Sequence, residues 1–466
     1  MQSVSFRKIV TLFIFGISFL EASSQHSKDS VQIRRIFDVA LADGRSYENL
    51  RVLCKNVGNR ISGSKAADSA VNWGYNLLKS MWVDTVYKMP ISVPCWSRGT
   101  IERAYIYHTD LRLNITALGG SEGTNGLLKA QVVVANGIED LERLGEKNIK
   151  GKIVFFNKPF DPRTINGFEA YGACVSQRYA GASKAAEYGA VGVLVRSMTH
   201  KNDNSPHTGS MGYTNEANKI PAAAISTEHG DMLIEQLKLK PTLRVALRMN
   251  CKTLPDKESF NVIAEIKGET EPETIITVGG HLDSWDIGEG AHDDGAGIVH
   301  SIELLRLMRA NGYRPKHTIR VVLFMNEENG NRGGKGYAQW VKDRGEKHLM
   351  ALESDGGGHT PRGFGISAPD SIYNIIAGYR AILEPYGCHV FKKSEWGGGV
   401  DINPLKLDSA LTINPNMILL GFMPDSQRYF DFHHAKTDVF ENVHKRELEM
   451  GAGAIGAIVY LIDKNF

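Results

Sequence analysis

Apolar residues recur at three- and four-residue intervals from Val31 to Met81, with Ile33, Phe37 and Leu41 on one side, and this spacing predicts helix. Asn59-Arg60-Ile61-Ser62-Gly63-Ser64 interrupts the pattern with turn residues before a second helical stretch through Ala70, Trp73, Leu77 and Leu78. From about Thr116 to Met249 the texture changes. Short β-rich runs dominate at Ala130 to Ala135, Lys152 to Phe156, Gly192 to Val195 and Ile220 to Ile225, with one helix-like stretch from Gly181 to Tyr188 among them. After about Ser259, apolar strands alternate with amphipathic helices. Strands are predicted at Asn261 to Ile266, Ile275 to Val278, Thr318 to Met325 and His348 to Leu352. Between the second and third, Ile298, Ile302, Leu305 and Met308 share one face of a helix from Ala296 to Ala310, which Asn311-Gly312 stops. A last helix is predicted over Glu447 to Leu461.

Strand, helix, strand with buried strands predicts an α/β fold around a doubly wound, parallel or mixed sheet. The β-rich segment lies between two pieces that need each other, so it reads as an insertion. The predicted division is a discontinuous α/β domain over 25–115 and 253–466, with a β-rich domain at 116–252.

The first residues carry a different signal. Arg7 and Lys8 precede an apolar run from Ile9 to Leu20, and small residues follow at Ala22, Ser23 and Ser24, which is the layout of a secretory signal peptide over 1–24. The run falls short of the ~20 residues of a spanning helix, so no membrane anchor is expected and the chain is expected to be secreted. The sequon Asn114-Ile115-Thr116 agrees with that route. Five widely spaced cysteines without a Cys-x-x-Cys pair exclude a cysteine zinc site and a disulfide scaffold, while leaving room for one or two bridges. Basic and acidic residues, 54 and 52, are scattered without a basic block, so no nucleic-acid partner is expected.

Candidate chemistry gathers where apolar strands end, the edge at which open α/β sheets carry functional groups. Ile275 to Val278 runs into Gly279-Gly280-His281-Leu282-Asp283, Thr318 to Met325 into Asn326-Glu327-Glu328, and His348 to Leu352 into Glu353-Ser354-Asp355. Between the first two lies Gly290-Ala291-His292-Asp293-Asp294-Gly295, and near the end Phe432-His433-His434-Ala435-Lys436-Thr437-Asp438. Two imidazoles and three carboxylates suit zinc, and five donors are too many for one catalytic ion; they fit two ions about 3.5–4 Å apart around a shared carboxylate. One of two adjacent acids, Glu327 and Glu328, can then bind metal while the other acts as general base. Asp294 is expected partly to cap the following helix, Asp283 either to orient His281 or to be solvated in a loop, and Asp438 to orient the late histidine ligand. His433 and His434 face different ways in an extended segment, and spacing alone does not choose between them.

Taken together, Gly-Gly-His-Leu-Asp-Ser, Gly-Ala-x-Asp-Asp-Gly-x-Gly, Glu-Glu, Glu-Ser-Asp and a late His-x-x-x-Asp resemble the co-catalytic di-zinc aminopeptidase and carboxypeptidase family. The likeness runs over nearly the whole chain after residue 24. It includes Asn59 to Ser64 and, in the insertion, Lys150-Gly151-Lys152-Ile153-Val154 and Gly189-Ala190-Val191-Gly192-Val193, which are similar to a protease-associated domain. The resemblance implies a phosphorylase/zinc-peptidase-like α/β/α sandwich with an inserted β-rich protease-associated domain. It implies two Zn2+ per chain, with His281 and Asp355 on one ion, Glu328 and His434 on the other, Asp293 shared, and Glu327 as general base. It also implies a cis Asp293–Asp294 bond, a secreted or lysosomal homodimer, and short peptide substrates with unblocked termini cleaved in carboxypeptidase or dipeptidase fashion. Leu405 to Met423 departs from the family's texture, which leaves specificity open there. Three other readings share the fold: an aminopeptidase, a single-zinc glutaminyl cyclase type, and a binding protein that has lost its ligands. The donor set also admits another divalent metal.

Overall fold

The computed structural model describes residues 28–214, 218–395 and 397–466, so the expected signal peptide at 1–24 lies outside the described residues. Eight strands form the central sheet: β1 Thr85–Ser97, β2 Lys252–Ile266, β3 Glu271–His281, β4 His317–Phe324, β5 Lys347–Glu353, β6 Pro361–Ser367, β7 Val390–Lys393 and β8 Ile418–Pro424. Their order across the sheet is β1-β2-β4-β3-β5-β8-β6-β7. β3, β4, β5 and β8 run parallel, and β1, β2 and β6 enter antiparallel contacts toward the edges, so the sheet is mixed.

Side chains of the inner strands alternate between two buried faces. Ile319, Val321 and Leu323 of β4, Met350 and Leu352 of β5, and Ile418 and Leu420 of β8 pack in the larger core with helices Lys65–Lys79, Ala296–Ala310 and Lys445–Asn465. Val322 and Phe324, Ala351 and Leu419 point the other way, onto Tyr337, Ala338 and Val341 of helix Arg332–Asp343. All eight residues of β4 are buried. That is why its second half, Val321 to Phe324, reads as an unbroken apolar run rather than an alternation. The arrangement is the expected α/β/α sandwich.

Helix Lys65–Lys79 starts where Ser64 accepts the backbone N–H of Ala67 at 3.0 Å. The final helix, Lys445–Asn465, extends past both expected ends and is buried along almost its whole length. No helix among the described residues is long and apolar enough to cross a membrane.

A second eight-stranded sheet belongs to the insertion, in the order Arg112–Leu113, Glu102–Ile106, Arg244–Met249, Leu128–Ala135, Ile153–Phe156, Gly192–Arg196, Ala222–Ile225 and Ile115–Ala117. Two of these strands, Glu102–Ile106 and Arg112–Leu113, precede the boundary expected at 116. The segment also carries more helix than one stretch: Asp140–Ile149, Gly167–Cys174 and Thr227–Leu239 stand beside Gly181–Glu187. The first of these is dominated by charge and broken at Gly145, where φ is 69°, so its periodicity is faint in the sequence. Strand faces alternate here too, with Val132, Phe155 and Leu194 in one core and Val154, Phe156 and Val193 in another.

Arg98 joins the two units. Its guanidinium meets Asp286 at 2.5 Å and Glu102 at 3.1 Å, and donates to Thr116 Oγ1 at 2.7 Å and the Ala117 carbonyl at 2.6 Å. All five cysteines are buried and free, so none of the bridges the sequence left room for is present.

Candidate metal centre and active site

The carboxyl ends of β3, β4 and β5 lie side by side because those strands are parallel neighbours. β3 delivers His281 at its last residue, β4 runs into Glu327 and Glu328, and β5 into Asp355. Gly280, just before His281, leaves room for the helix that follows Asp294; a Cβ there would stand 2.4 Å from Asp294 Oδ2 and 2.9 Å from the Gly297 carbonyl carbon. Asp294 fills that space usefully. Its Oδ2 accepts the N–H of His281 and its Oδ1 the N–H of Gly297, both at 3.0 Å, which ties the strand end to the start of helix Ala296–Ala310. The Asp293–Asp294 peptide bond is cis.

Asp293 stands between the two histidines. Its Oδ1 is 3.2 Å from His281 Nε2, and its Oδ2 is 3.2 Å from His434 Nε2. His281 Nε2 is also 3.4 Å from Asp355 Oδ1, and His434 Nε2 is 3.1 Å from Glu328 Oε2. The five side chains expected to bind metal therefore converge as two groups sharing one carboxylate. Separations of 3.1–3.4 Å match the edge of a tetrahedron with zinc–ligand bonds of ~2.0–2.1 Å, about 3.3 Å. Asp293 Oδ2 and Glu328 Oε1 are buried without a hydrogen-bond partner. Orphaned buried oxygens among crowded acids are costly unless a cation faces them, so the donor set fits a pair of divalent ions.

Charge follows the same geometry. Burial raises the Asp293 carboxyl, but His281 and His434 outweigh it and hold the group well below its ordinary range. Burial together with Asp293 pushes Glu328 up to about 7, and burial lifts Glu327 well above the usual carboxylate value. Burial also opposes protonation of His434, yet Glu328 and Asp293 raise it to about 9.

His433 also reaches this group. Its Nε2 is 3.8 Å from Asp293 Oδ2, and its ring stacks on His434 at 3.6 Å. His433 is surrounded by the rings of Tyr171, Tyr429 and Phe430, whereas His434 alone of the two reaches Glu328.

The supporting residues differ from expectation in two places. Asp438 does not touch His434; its carboxylate accepts the backbone N–H groups of His292 at 2.7 Å and Asp293 at 3.1 Å. Asp283 is neither solvated nor chiefly a partner of the His281 ring, whose Nδ1 lies 3.0 Å from the Asp283 carbonyl and 3.8 Å from its carboxylate. Its carboxylate instead accepts N–H groups of Asn326 at 2.7 Å, Glu327 at 3.1 Å and Glu328 at 3.3 Å, and the Ser62 hydroxyl at 3.0 Å. Arg60 is wholly buried and donates to the carbonyls of Leu282 at 2.7 Å, Glu289 at 2.6 Å and Gly290 at 2.8 Å. The segment read as a turn at 59–64 thus fastens the strand end that bears His281 to the loop before Asp293.

A cavity of about 250 Å³ opens on the acids, lined by Asp293, Glu327, Glu328 and Asp355 on one side and by Phe168, Tyr171, Arg178 and Ser210 of the insertion on the other. A neighbouring cavity of about 500 Å³ shares Asp355 and Phe168 with it and extends past Arg362 and Lys392. The insertion also anchors the late histidines: Thr208 N–H donates to the His434 carbonyl at 2.9 Å, and His207 Nδ1 lies 2.7 Å from the His433 carbonyl. Sequence reasoning missed Phe168, Tyr171, Arg178 and Ser210, which carry no motif and reach the site only through the fold.

Comparison with known proteins agrees with this architecture. Residues 261–459 match Peptidase family M28, and residues 128–233 match the PA domain. Carboxypeptidase Q of Bos taurus is 34% identical over 90% of this chain and 86% of its own length, and that of Mus musculus 32% identical over 99% and 98%. The chain belongs to peptidase family M28. Among solved structures, the Peptidase M28 precursor from Shewanella amazonensis SB2B superposes with a TM-score of 0.88 at 32% identity, covering 94% of this chain and 97% of that one. An aminopeptidase from Aneurinibacillus sp. strain AM-1, at 20% identity and a TM-score of 0.62, covers 92% and 95% and shares the fold. The M28 region takes in all five converging side chains, and the PA region contains the cavity residues that come from the insertion.

Proposed function

We propose that this metallo-exopeptidase hydrolyses dipeptides or short peptides with unblocked termini, with two zinc ions per chain and Glu327 as general base. One observation carries the reading: a single carboxylate, Asp293, stands 3.2 Å from each of two histidines that are themselves flanked by Asp355 and Glu328. His281 and Asp355 would hold one ion, Glu328 and His434 the other, and Asp293 both. A zinc pair supplies Lewis acidity toward the attacking water and the scissile carbonyl. Glu327 lines the cavity beside these donors and is spared for proton transfer. It accepts a proton from the water as the carbonyl is attacked, and returns it to the leaving amine. Burial around it favours the protonated form, in the direction opposite to the field of nearby cations.

The relatives named carboxypeptidase Q favour the carboxypeptidase side of the family. We assign secretion from the leader-like segment at 1–24, and start the inserted domain near Glu102 rather than 116 because that strand pairs with Arg244–Met249. The deciding experiment is Glu327→Ala, assayed for bound zinc and for dipeptide hydrolysis together. Two zinc ions per chain with turnover reduced about 100-fold or more is the expected result; loss of metal with activity would make Glu327 a ligand instead.

A further inference from the structure

Between β7 and β8 the segment 397–403 reads Gly-Gly-Gly-Val-Asp-Ile-Asn and walls both cavities. Gly397, Gly398 and Gly399 line the larger one, and Val400 lines the smaller one beside Glu327 and Asp355. Among the described residues that border the smaller cavity, Val400 is the one aliphatic side chain. It stays 42% exposed, whereas Ile402, two residues on, is wholly buried in the core. A turn that served packing alone would hide both.

The strap is held from three sides. Glu353, the last residue of β5 and 1% exposed, accepts the N–H groups of Asp401 at 2.9 Å and Ile402 at 3.0 Å on Oε2. Asn331, three residues beyond Glu328, donates from Nδ2 to the Val400 carbonyl at 3.0 Å. Asn403 Oδ1 accepts the N–H of Gly398 at 2.9 Å and closes the segment on itself.

The fit is close. A Cβ at Gly399 would lie 2.5 Å from each Glu353 carboxylate oxygen, and one at Gly398 would lie 2.6 Å from the Leu420 carbonyl oxygen of β8. A buried carboxylate is costly unless donors meet it, and bonds from N–H groups to a charged oxygen are the strong kind. Glu353 spends that strength on two consecutive N–H groups, which fixes the peptide planes just after Val400. The Asn331 bond fixes the Val400 carbonyl, so the direction of the side chain is set from both neighbouring segments. Those segments are the ones that carry Asp355 and Glu328.

We propose that Val400 contacts the substrate side chain on one side of the scissile bond and helps to set specificity, with Glu353 as the positioning residue that aims it. This rests on the catalytic reading above. Zinc-loaded protein carrying Glu327→Ala leaves peptides intact, so calorimetry can follow its affinity for alanyl-leucine, leucyl-alanine and glycyl-glycine. In that background Val400→Ala is expected to weaken one of the two leucine peptides about 3- to 15-fold, the worth of one or two buried methyl groups. Glycyl-glycine binding and zinc content should not change. Glu353→Met should cause the same selective loss, and Glu353→Gln should avoid it, because the amide oxygen still accepts both N–H groups. Val400→Ala added to Glu353→Met should then cost less than about twofold more, since the side chain is no longer aimed. Where Glu353→Met fails to fold, Gly399→Ala takes its place with the same expected loss, its methyl displacing the carboxylate. Equal weakening of all three peptides, no weakening, no binding of either leucine peptide, or additive effects of Glu353→Met and Val400→Ala would overturn the assignment. Loss of zinc from Glu353→Met would also overturn it, by making Glu353 a support for Asp355 instead. Absence of hydrolysis by the native chain, with these affinities intact, would count against the catalytic reading alone.

Discussion

The Asp283 carboxylate accepts the backbone N–H of Glu327 at 3.1 Å, so a residue just past the end of β3 sets the position of the proposed base carried beyond β4. The same carboxylate takes the N–H groups of Asn326 and Glu328, and Asn326 has a positive φ of 76°. Asp283→Asn would put an amide N–H2 against donors that need an acceptor. The expected result is a fall of about 10- to 100-fold in kcat with a smaller loss of zinc affinity, read from steady-state kinetics and metal titration on the same preparation. Unchanged kcat would show that the turn at 326–328 holds itself.

Metal loading should release protons. In the metal-free chain Glu328 is raised to about 7 and His434 to about 9, and the two share a contact of 3.1 Å, so at least one proton resides on the pair at pH 7. Both values are raised, so the protonated forms prevail below them and compete with a cation. Zinc affinity is therefore expected to rise with pH from about 6 to 9. Calorimetry at pH 7 in buffers of different ionisation enthalpy should count one or more protons lost per chain; a count of zero would contradict the assignment of this pair to metal.

Arg98 holds the inserted domain to the loop after His281 through Asp286. Arg98→Met leaves the Asp286 and Glu102 carboxylates facing a nearly dry gap, and removing one partner of a buried pair costs about 3–5 kcal/mol. The urea midpoint of the zinc-loaded variant should fall accordingly. Arg98→Met with Asp286→Asn should recover part of the loss, since the stranded charge is then removed.

Thiol chemistry offers a check on the packing. Burial pushes Cys54 and Cys388 up to about 12 and Cys174 and Cys251 up to about 11, and Cys95 is buried as well. The folded protein should be inert to a disulfide reagent at pH 8, while the chain in guanidinium should titrate five thiols without prior reduction. Fewer than five would reveal a bridge.

Much of the fold is legible because its inner strands are buried on both faces. β3, β4 and β5 stand out as apolar runs, and His281, Glu327, Glu328 and Asp355 lie where those runs stop. β6 and β7 do not stand out: they are short, rich in glycine or half exposed at the sheet edge. The choice between His433 and His434 was equally hidden, because His434 has a positive φ of 58° and no regular period says where either ring points. Arg60 and Ser62 look like ordinary turn residues, since their work is done on carbonyls and carboxylates more than 200 positions away. Arg178 gives no local signal at all. Its place depends on how one domain rests against another, which periodicity does not encode.

That seating has a consequence for how the enzyme is made and broken. Thr208 and His207 grip the very loop that presents His433 and His434, so the insertion supplies one bank of the channel and the moorings of a proposed ligand on the opposite bank. A protease nick or a deletion that let this lobe swing away would disturb the proposed cation site as well as widen the mouth. The lobe is masonry, not a detachable awning.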